Sequence, residues 1–222
     1  MKLDSITDRT AWTIFAAGFV ASVLAAAFAP QDIKLGAWVR LVIWHGMLKW
    51  ACILVIFAMG ALALYYLFSK RQVLYDWVRA LQIATLLAWV FAVGIGAASA
   101  KLVWNSWNLT ERRMTMSVIY IMIAALGLIV GLLMDKPRLT AALAVVTSLS
   151  MAGLLAWIEL APAADDVHPA NAVMGSDNVM FRVFGILMLV TCLVWVLALL
   201  VPTRHWVQRQ GHDAQLPAGG TA

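Results

Sequence analysis

The sequence predicts an all-α polytopic membrane protein with six transmembrane helices, and three observations support this prediction. Hydrophobic residues make up 64% of the 222 residues and charged residues only 12%, against roughly 45–50% and about 25% in soluble proteins. Six stretches approach or exceed the roughly 20 apolar residues that a membrane span needs. None shows the short alternating pattern of a transmembrane β-strand. The composition therefore excludes a soluble enzyme, a disordered chain and a disulfide-rich secreted scaffold.

We expect one transmembrane domain over residues 1–202 and a cytoplasmic tail over residues 203–222. The tail is predicted to be disordered because it becomes rich in Gly, Pro and Ala from Gly211 onward. The chain has no Walker motif and no GxGxxG, so it is not expected to hydrolyse ATP or to bind a dinucleotide by those means. The predicted spans cover residues 12–29, 41–68, 80–100, 114–134, 139–161 and 183–201.

The distribution of basic residues predicts the orientation of these spans. An even number of spans places both termini on one side of the membrane, and this side carries nine Lys and Arg residues against six on the other. By the positive-inside rule, both termini then lie in the cytoplasm. The net charge of +5 reflects this topology, and we expect no nucleic-acid partner. The outward loops are residues 30–40, 101–113 and 162–182.

The start of the second span combines three residues that a plain membrane helix does not need. Arg40 lies five residues before His45, and Lys49 lies four residues after it, so His45 and Lys49 share a helix face. Ionisable side chains inside a span are costly unless they face a cavity or a partner. A hydrogen-bonded core histidine, with the two basic side chains reaching the interface, would also explain the pattern.

The other two long outward loops carry aromatic and titratable residues. Trp104 and Trp107 are three residues apart, a spacing that also fits aromatic anchors at the membrane interface. Glu111 suits the first turn of the following helix. His168 lies in the acidic loop between the last two spans, where a histidine can also be simply solvated.

Together, the two outward histidines, His45 and His168, point to a metal-containing cofactor. Two imidazoles on opposite faces of a flat ring are the ligands of a six-coordinate haem iron, tryptophans pack against the ring, and basic side chains neutralise its propionates. Zinc or copper remains an open alternative, but such sites usually add a third or fourth ligand. Cys52 and Cys192 are not part of a CxxC pair, and Glu111 could serve as a carboxylate ligand.

These residues resemble the haem-handling membrane proteins of cytochrome c assembly, and most closely their six-span haem-delivery branch. That branch has an outward His at the start of span two with an Arg five residues earlier, as at Arg40 and His45. Its tryptophan-rich segment lies between spans three and four, where Trp104 and Trp107 precede the acid Glu111. Its second outward His lies between spans five and six, where His168 stands. The resemblance extends from about Arg40 to the end of span six.

The resemblance implies a non-covalent b-type haem held at the periplasmic face of a bacterial inner membrane. His45 and His168 would be the axial iron ligands. The protein would pass haem to a carrier or apocytochrome without itself being an enzyme. Its expected partners are haem, membrane lipid, ATP-binding cassette subunits, and a small membrane subunit or a haem chaperone. The remaining residues expected around the haem are Arg40, Lys49, Trp104, Trp107, Glu111, Arg113 and Arg182.

Two other functions remain possible from the sequence. The same pair of histidines could hold a permanent haem b in an electron-transfer subunit of a membrane redox complex. Alternatively, both histidines could be structural, and the chain could be a permease or a structural membrane subunit that binds no haem.

Overall fold

The computed structural model describes residues 6–32, 36–107, 110–160, 173 and 177–213. For residues 211–213 it describes the backbone alone. In this part of the chain the protein consists of six α-helices, each long and apolar enough to cross a membrane. The predicted all-α, six-span fold is therefore confirmed. The helices are α1 (Asp8–Phe28), α2 (Val39–Ser69), α3 (Gln72–Trp104), α4 (Arg112–Met134), α5 (Pro137–Leu160) and α6 (Val179–Asp213).

Two helices, α3 and α6, extend well beyond the spans that hydropathy predicts. α3 begins at Gln72, eight residues before the predicted span, so that only Lys70 and Arg71 separate it from α2. Lys70 adopts a left-handed conformation (φ 55°) and its N–H donates to the Tyr66 carbonyl at 2.8 Å. This cap satisfies a terminal carbonyl of α2 and reverses the chain within two residues.

The bundle is organised around α2, which packs against α1, α3, α5 and α6. α1 packs mainly on α6, and α4 packs mainly on α5. Asp8 of α1 contacts His205 and Arg209 of α6, so the start of α1 and the C-terminal part of α6 lie at the same end of the bundle. We call this the proximal end. The opposite end, where α2, α4 and α6 begin, is the distal end.

Small residues allow the helices to approach closely. Gly60 of α2 faces Ser148 of α5 so tightly that an added Cβ would collide with the serine side chain. Gly131 of α4 faces Thr140 of α5 in the same way, with 3.0 Å between the position of a Cβ and the threonine Oγ1. Such contacts are the usual source of helix association in lipid, where van der Waals packing replaces the hydrophobic effect.

The structure corrects part of the predicted disordered tail. α6 continues as a helix through residues 203–213, whereas residues 214–222 lie outside the described part. The extension is held by contacts with α1, through Asp8, and with α3. The Arg204 guanidinium lies 4.6 Å from the centre of the Trp77 ring, and the Gln208 amide donates to Asp76 at 3.0 Å. Composition alone missed these contacts because they join residues far apart in the sequence.

The ion pairs of Asp8 predict how the extension of α6 is held. Asp8 lies 2.5 Å from His205 and 2.9 Å from Arg209, and its side chain is 36% exposed. Pairs of this kind stabilise by up to about 1 kcal/mol each. We therefore expect Asp8→Asn to raise the rate of tryptic cleavage after Arg204 and Arg209 about two- to fivefold, because the extension opens more often.

The matched control for this variant is Glu159→Gln, which removes an exposed carboxylate near the distal end of α5. It should leave cleavage of the α6 extension unchanged. Equal cleavage of Asp8→Asn and the unaltered protein would show that the two ion pairs do not hold the extension.

Candidate functional site at the distal end

His45 lies in the distal half of α2, on the face that packs against α3. Its side chain is 6% exposed. The ring fits into a notch at Gly96, where an added Cβ would lie 3.2 Å from Cδ2 and 3.5 Å from Nε2 of the histidine. A side chain at position 96 would therefore displace the ring. The other ring nitrogen, Nδ1, lies 3.4 Å from the Leu41 carbonyl oxygen one turn earlier in α2.

The hydrogen bond at Nδ1 decides which nitrogen of His45 could bind a metal. A carbonyl oxygen only accepts, so this contact places the proton on Nδ1. Nε2 then carries the lone pair that a metal ion requires. The Nδ1 contact is of the type that commonly fixes the orientation of ligating histidines.

Lys49 lies one turn deeper in α2 and is half-buried in the span. Its Nζ lies 6.0 Å from the centre of the Trp89 ring of α3. The Glu111 carboxylate attracts the Lys49 ammonium, and the Arg113 guanidinium repels it. We call these four residues, Lys49, Trp89, Glu111 and Arg113, the basic cluster. The structure thus brings together residues from α2, α3 and the start of α4.

Glu111 and Arg113 are positioned by the first turn of α4. Glu111 is the N-cap residue, and its Oε2 accepts a hydrogen bond from the Met114 amide at 3.0 Å. The sequence predicts a first-turn position for Glu111, and the structure places it just before that turn, as the capping residue. Ser117 donates to the Arg113 carbonyl at 2.6 Å. The start of α4 therefore carries both a carboxylate and a guanidinium.

Trp89 joins the cluster to the interior of the bundle, and sequence reasoning missed it. Its indole N–H donates to the Ser117 carbonyl of α4 at 3.3 Å, and its ring packs edge-on against Tyr120, with 5.1 Å between centroids. Both aromatic residues are fully buried. The sequence does show that Trp89 and Gly96 are seven residues apart, a spacing that places them on one face of α3.

The structure also describes the surroundings of four other predicted site residues. Arg40 donates from Nε to the Ala29 carbonyl at 2.7 Å and so joins the start of α2 to the end of α1. Trp104 ends α3 and is half-buried, whereas Trp107 is 54% exposed. Arg182 is exposed on α6.

His168, the second predicted iron ligand, lies outside the described residues, so its pairing with His45 stays a prediction. Val173, five residues later, is described and buried. It packs against Gly185 of α6, where the Met47 sulfur of α2 is also within 4.0 Å of the position of an added Cβ. Val173 therefore lies against α6 at a point where α2 is also close.

Neither of the two best-formed surface cavities includes His45. One groove of about 280 Å³ lies between α1, α3 and α6, and a second of about 740 Å³ follows the exposed face of α1. The first is lined only by apolar side chains, so it offers no group that could orient a metal or a charge. Its lining residues are Phe15, Phe19, Leu87, Ala88, Phe91, Trp195 and Leu199.

Among the described residues, no group of three or more His, Cys, Asp and Glu side chains could hold a metal ion. No protein-family model matches the chain, and no curated protein is significantly similar to it in sequence. The candidate site is therefore identified from the geometry of this chain and not from similarity to a known protein.

Because Val173 packs on Gly185, cysteines introduced at these two positions should form a disulfide. A Cβ at position 185 would lie 3.7 Å from the Val173 Cβ, close to the mean of about 3.8 Å in disulfides. We expect the Val173→Cys, Gly185→Cys double variant to cross-link under mild oxidation, as measured by loss of alkylatable thiols. The native Cys52 and Cys192 are fully buried and can stay in place.

The control combines Val173→Cys with Gly153→Cys in α5, because an added Cβ at Gly153 meets no atom of another residue within 4 Å. This pair should remain reduced. Failure of the first pair to cross-link, or equal cross-linking of both, would show that Val173 does not pack against Gly185.

Proposed function

We propose that this protein binds haem at the outward, periplasmic face of a bacterial inner membrane and hands it on during cytochrome c assembly. His45 and His168 are the proposed axial ligands of a b-type, non-covalent haem. When bound, the haem supplies an iron centre that takes two axial nitrogen ligands and two propionates that need positive partners. The protein itself makes and breaks no covalent bond.

The position of Val173 carries the proposal. Val173 packs against Gly185 of α6, where the Met47 sulfur of α2 is also close, and His168 precedes Val173 by five residues in the sequence. Five residues of chain span at most about 18 Å, a length that permits His168 to approach the distal half of α2. The pairing of His168 with His45 is itself part of the proposal.

The chemistry of the described residues fits one half of such a site. The Nδ1 contact of His45 with Leu41 leaves Nε2 as the ligating atom, and Gly96 provides the space in which the ring is held. Lys49 and Arg113 provide positive charge for propionates. Trp104 and Trp107 lie at the distal ends of the helices, where their rings could contact a porphyrin.

The proposed partners follow from the resemblance between this chain and the six-span haem-delivery proteins. They are ATP-binding cassette subunits, which would supply the nucleotide chemistry that this chain lacks by sequence motif, and a small membrane subunit or haem chaperone. The excess of basic residues at the proximal end favours a cytoplasmic location for the termini.

A fixed haem b electron-transfer subunit is the second candidate. The low exposure of His45, 6%, favours it, because a deeply buried ligand exchanges slowly. Haem transfer separates the two functions. A delivery protein should lose its haem to apomyoglobin on mixing, whereas a fixed cytochrome should retain it.

Visible spectra of the protein purified in mild detergent test haem binding directly. We expect oxidised and dithionite-reduced spectra of a low-spin haem. His45→Ala and His168→Ala should each convert the spectrum to high spin and weaken haemin binding at least about tenfold. His205→Ala, at the proximal end, is the control and should behave as the unaltered protein does. A colourless protein that binds haemin no better than the double variant would leave a permease or structural subunit as the function.

The notch at Gly96 gives a second prediction for the same site. Gly96→Val should displace the His45 ring, because even its Cβ lies 3.2 Å from Cδ2. We expect haemin affinity to fall about tenfold and the low-spin fraction to decrease, as measured by titration at the Soret band. Gly94→Val is the matched control on the same helix, since an added Cβ there meets nothing within 4 Å. Equal affinities for the two variants would contradict a role for the notch.

A further inference from the structure

The exposed face of α1 carries a groove that the proposed function does not use. It is the larger of the two surface cavities, with a volume of about 740 Å³. All of its lining residues belong to α1 and recur at spacings of three and four, so they form one stripe along the helix. They are Arg9, Trp12, Thr13, Ala16, Ala17 and Val20. We call this surface the α1 groove.

The α1 groove has the length of one membrane leaflet. α1 begins at Asp8, so Arg9 lies at the proximal end of the span, at the level of the lipid headgroups. Val20 lies about 17 Å further along the helix axis. The hydrocarbon core of a bilayer is about 30 Å thick, so Val20 lies near its centre. A groove that runs from the headgroups to the middle of the bilayer has the dimensions of a single phospholipid.

The side chains of the α1 groove change from polar to apolar in the same direction. Trp12 is 49% exposed, and its ring packs edge-on against Phe15, with 5.4 Å between centroids. An exposed tryptophan one turn inside a span is typical of the membrane interface. The Thr13 hydroxyl donates to the Arg9 carbonyl within the helix at 2.9 Å. Beyond it, Ala16 and Ala17 leave a shallow apolar floor on which an acyl chain can lie close to the helix backbone.

The charge at the proximal end of the α1 groove favours a phosphate. Arg9 is exposed, and the neighbouring carboxylate, Asp8, is already bound to His205 and Arg209. A guanidinium binds phosphate oxygens through two parallel hydrogen bonds. A second copy of the chain fits this face less well. In a two-fold dimer through α1, the two Arg9 side chains would lie close together and repel each other.

We propose that the α1 groove binds one anionic phospholipid. The lipid phosphate pairs with Arg9, and the indole N–H of Trp12 donates to the ester region of the lipid. One acyl chain lies over Ala16 and Ala17 and reaches Val20. The site is separate from the proposed haem site, because His45 lies in the distal half of the bundle. The lipid covers the face of α1 that is turned away from α6, the helix on which α1 mainly packs.

Native mass spectrometry of the delipidated protein in detergent tests the headgroup contact. The protein is titrated with phosphatidylglycerol, which is anionic, or with phosphatidylethanolamine of the same acyl chains, which is zwitterionic. We expect the first phosphatidylglycerol to bind about fivefold more tightly, the factor that one basic residue near a membrane surface contributes for an anionic lipid. Arg9→Gln should abolish this preference. Arg71→Gln removes a cation that is exposed in the connection between α2 and α3, outside the groove, and should retain it.

A second variant tests the acyl-chain contact. Ala17→Leu fills the floor of the α1 groove, so it should weaken binding of both lipids several-fold and leave the ratio of their affinities unchanged. Ala27→Leu is the matched control, because Ala27 is exposed on the same helix and does not line the groove. It should bind both lipids as the unaltered protein does. Thermal unfolding of each variant shows that it is folded.

Three outcomes would overturn the proposal. The first is equal affinity of the unaltered protein for the two lipids. The second is an equal loss of preference in Arg9→Gln and Arg71→Gln, which would reflect the overall charge of the protein. The third is a dimer that Ala17→Leu weakens and that does not respond to the lipid headgroup, which would assign the groove to a second copy. An unchanged lipid affinity in Ala17→Leu would overturn the placement of the acyl chain.

Discussion

Close packing of α2 against its neighbours is the constraint on which the rest of the structure depends. In lipid, association of helices depends on surface complementarity, and this favours small residues at the contacts. Gly60 allows α2 to approach α5, and Gly96 of α3 receives the ring of His45. Because α2 is fixed on several sides, the rotation of its distal half is fixed as well. The orientation of His45 and Lys49 toward α3 and α4, rather than toward lipid, follows from this rotation.

The distal site therefore consists of residues that the bundle has already positioned. Hydrogen bonds and packing hold His45 and Trp89, and an N-cap holds Glu111. Such preorganisation reduces the conformational entropy that a ligand would otherwise lose on binding. The same arrangement leaves Lys49, Glu111 and Arg113 half-buried at the distal end, where partly desolvated charges cost free energy unless they are compensated. We interpret this combination as typical of a binding site and untypical of a structural core.

The sequence predicts the number and type of elements well, because long apolar runs determine helices that cross a membrane. The spacing of His45 and Lys49 also predicts their common face. The sequence does not predict the contacts of the α6 extension, since Asp8 and His205 are separated by almost the whole chain. It likewise does not reveal Gly96 and Trp89 as site residues. Their roles arise from which face of α3 meets α2 and α4, and hydropathy contains little information about that choice.

The two-residue connection at Lys70 and Arg71 has a consequence for the biogenesis of the protein. It makes α2 and α3 a helical hairpin that can form as soon as both helices have been synthesised, and Asp135 and Lys136 do the same for α4 and α5. α1 instead packs mainly on α6, which is synthesised only after the four helices between them. α1 must therefore wait in the membrane until α6 has been made. Assembly of this bundle thus cannot proceed helix by helix in the order of synthesis.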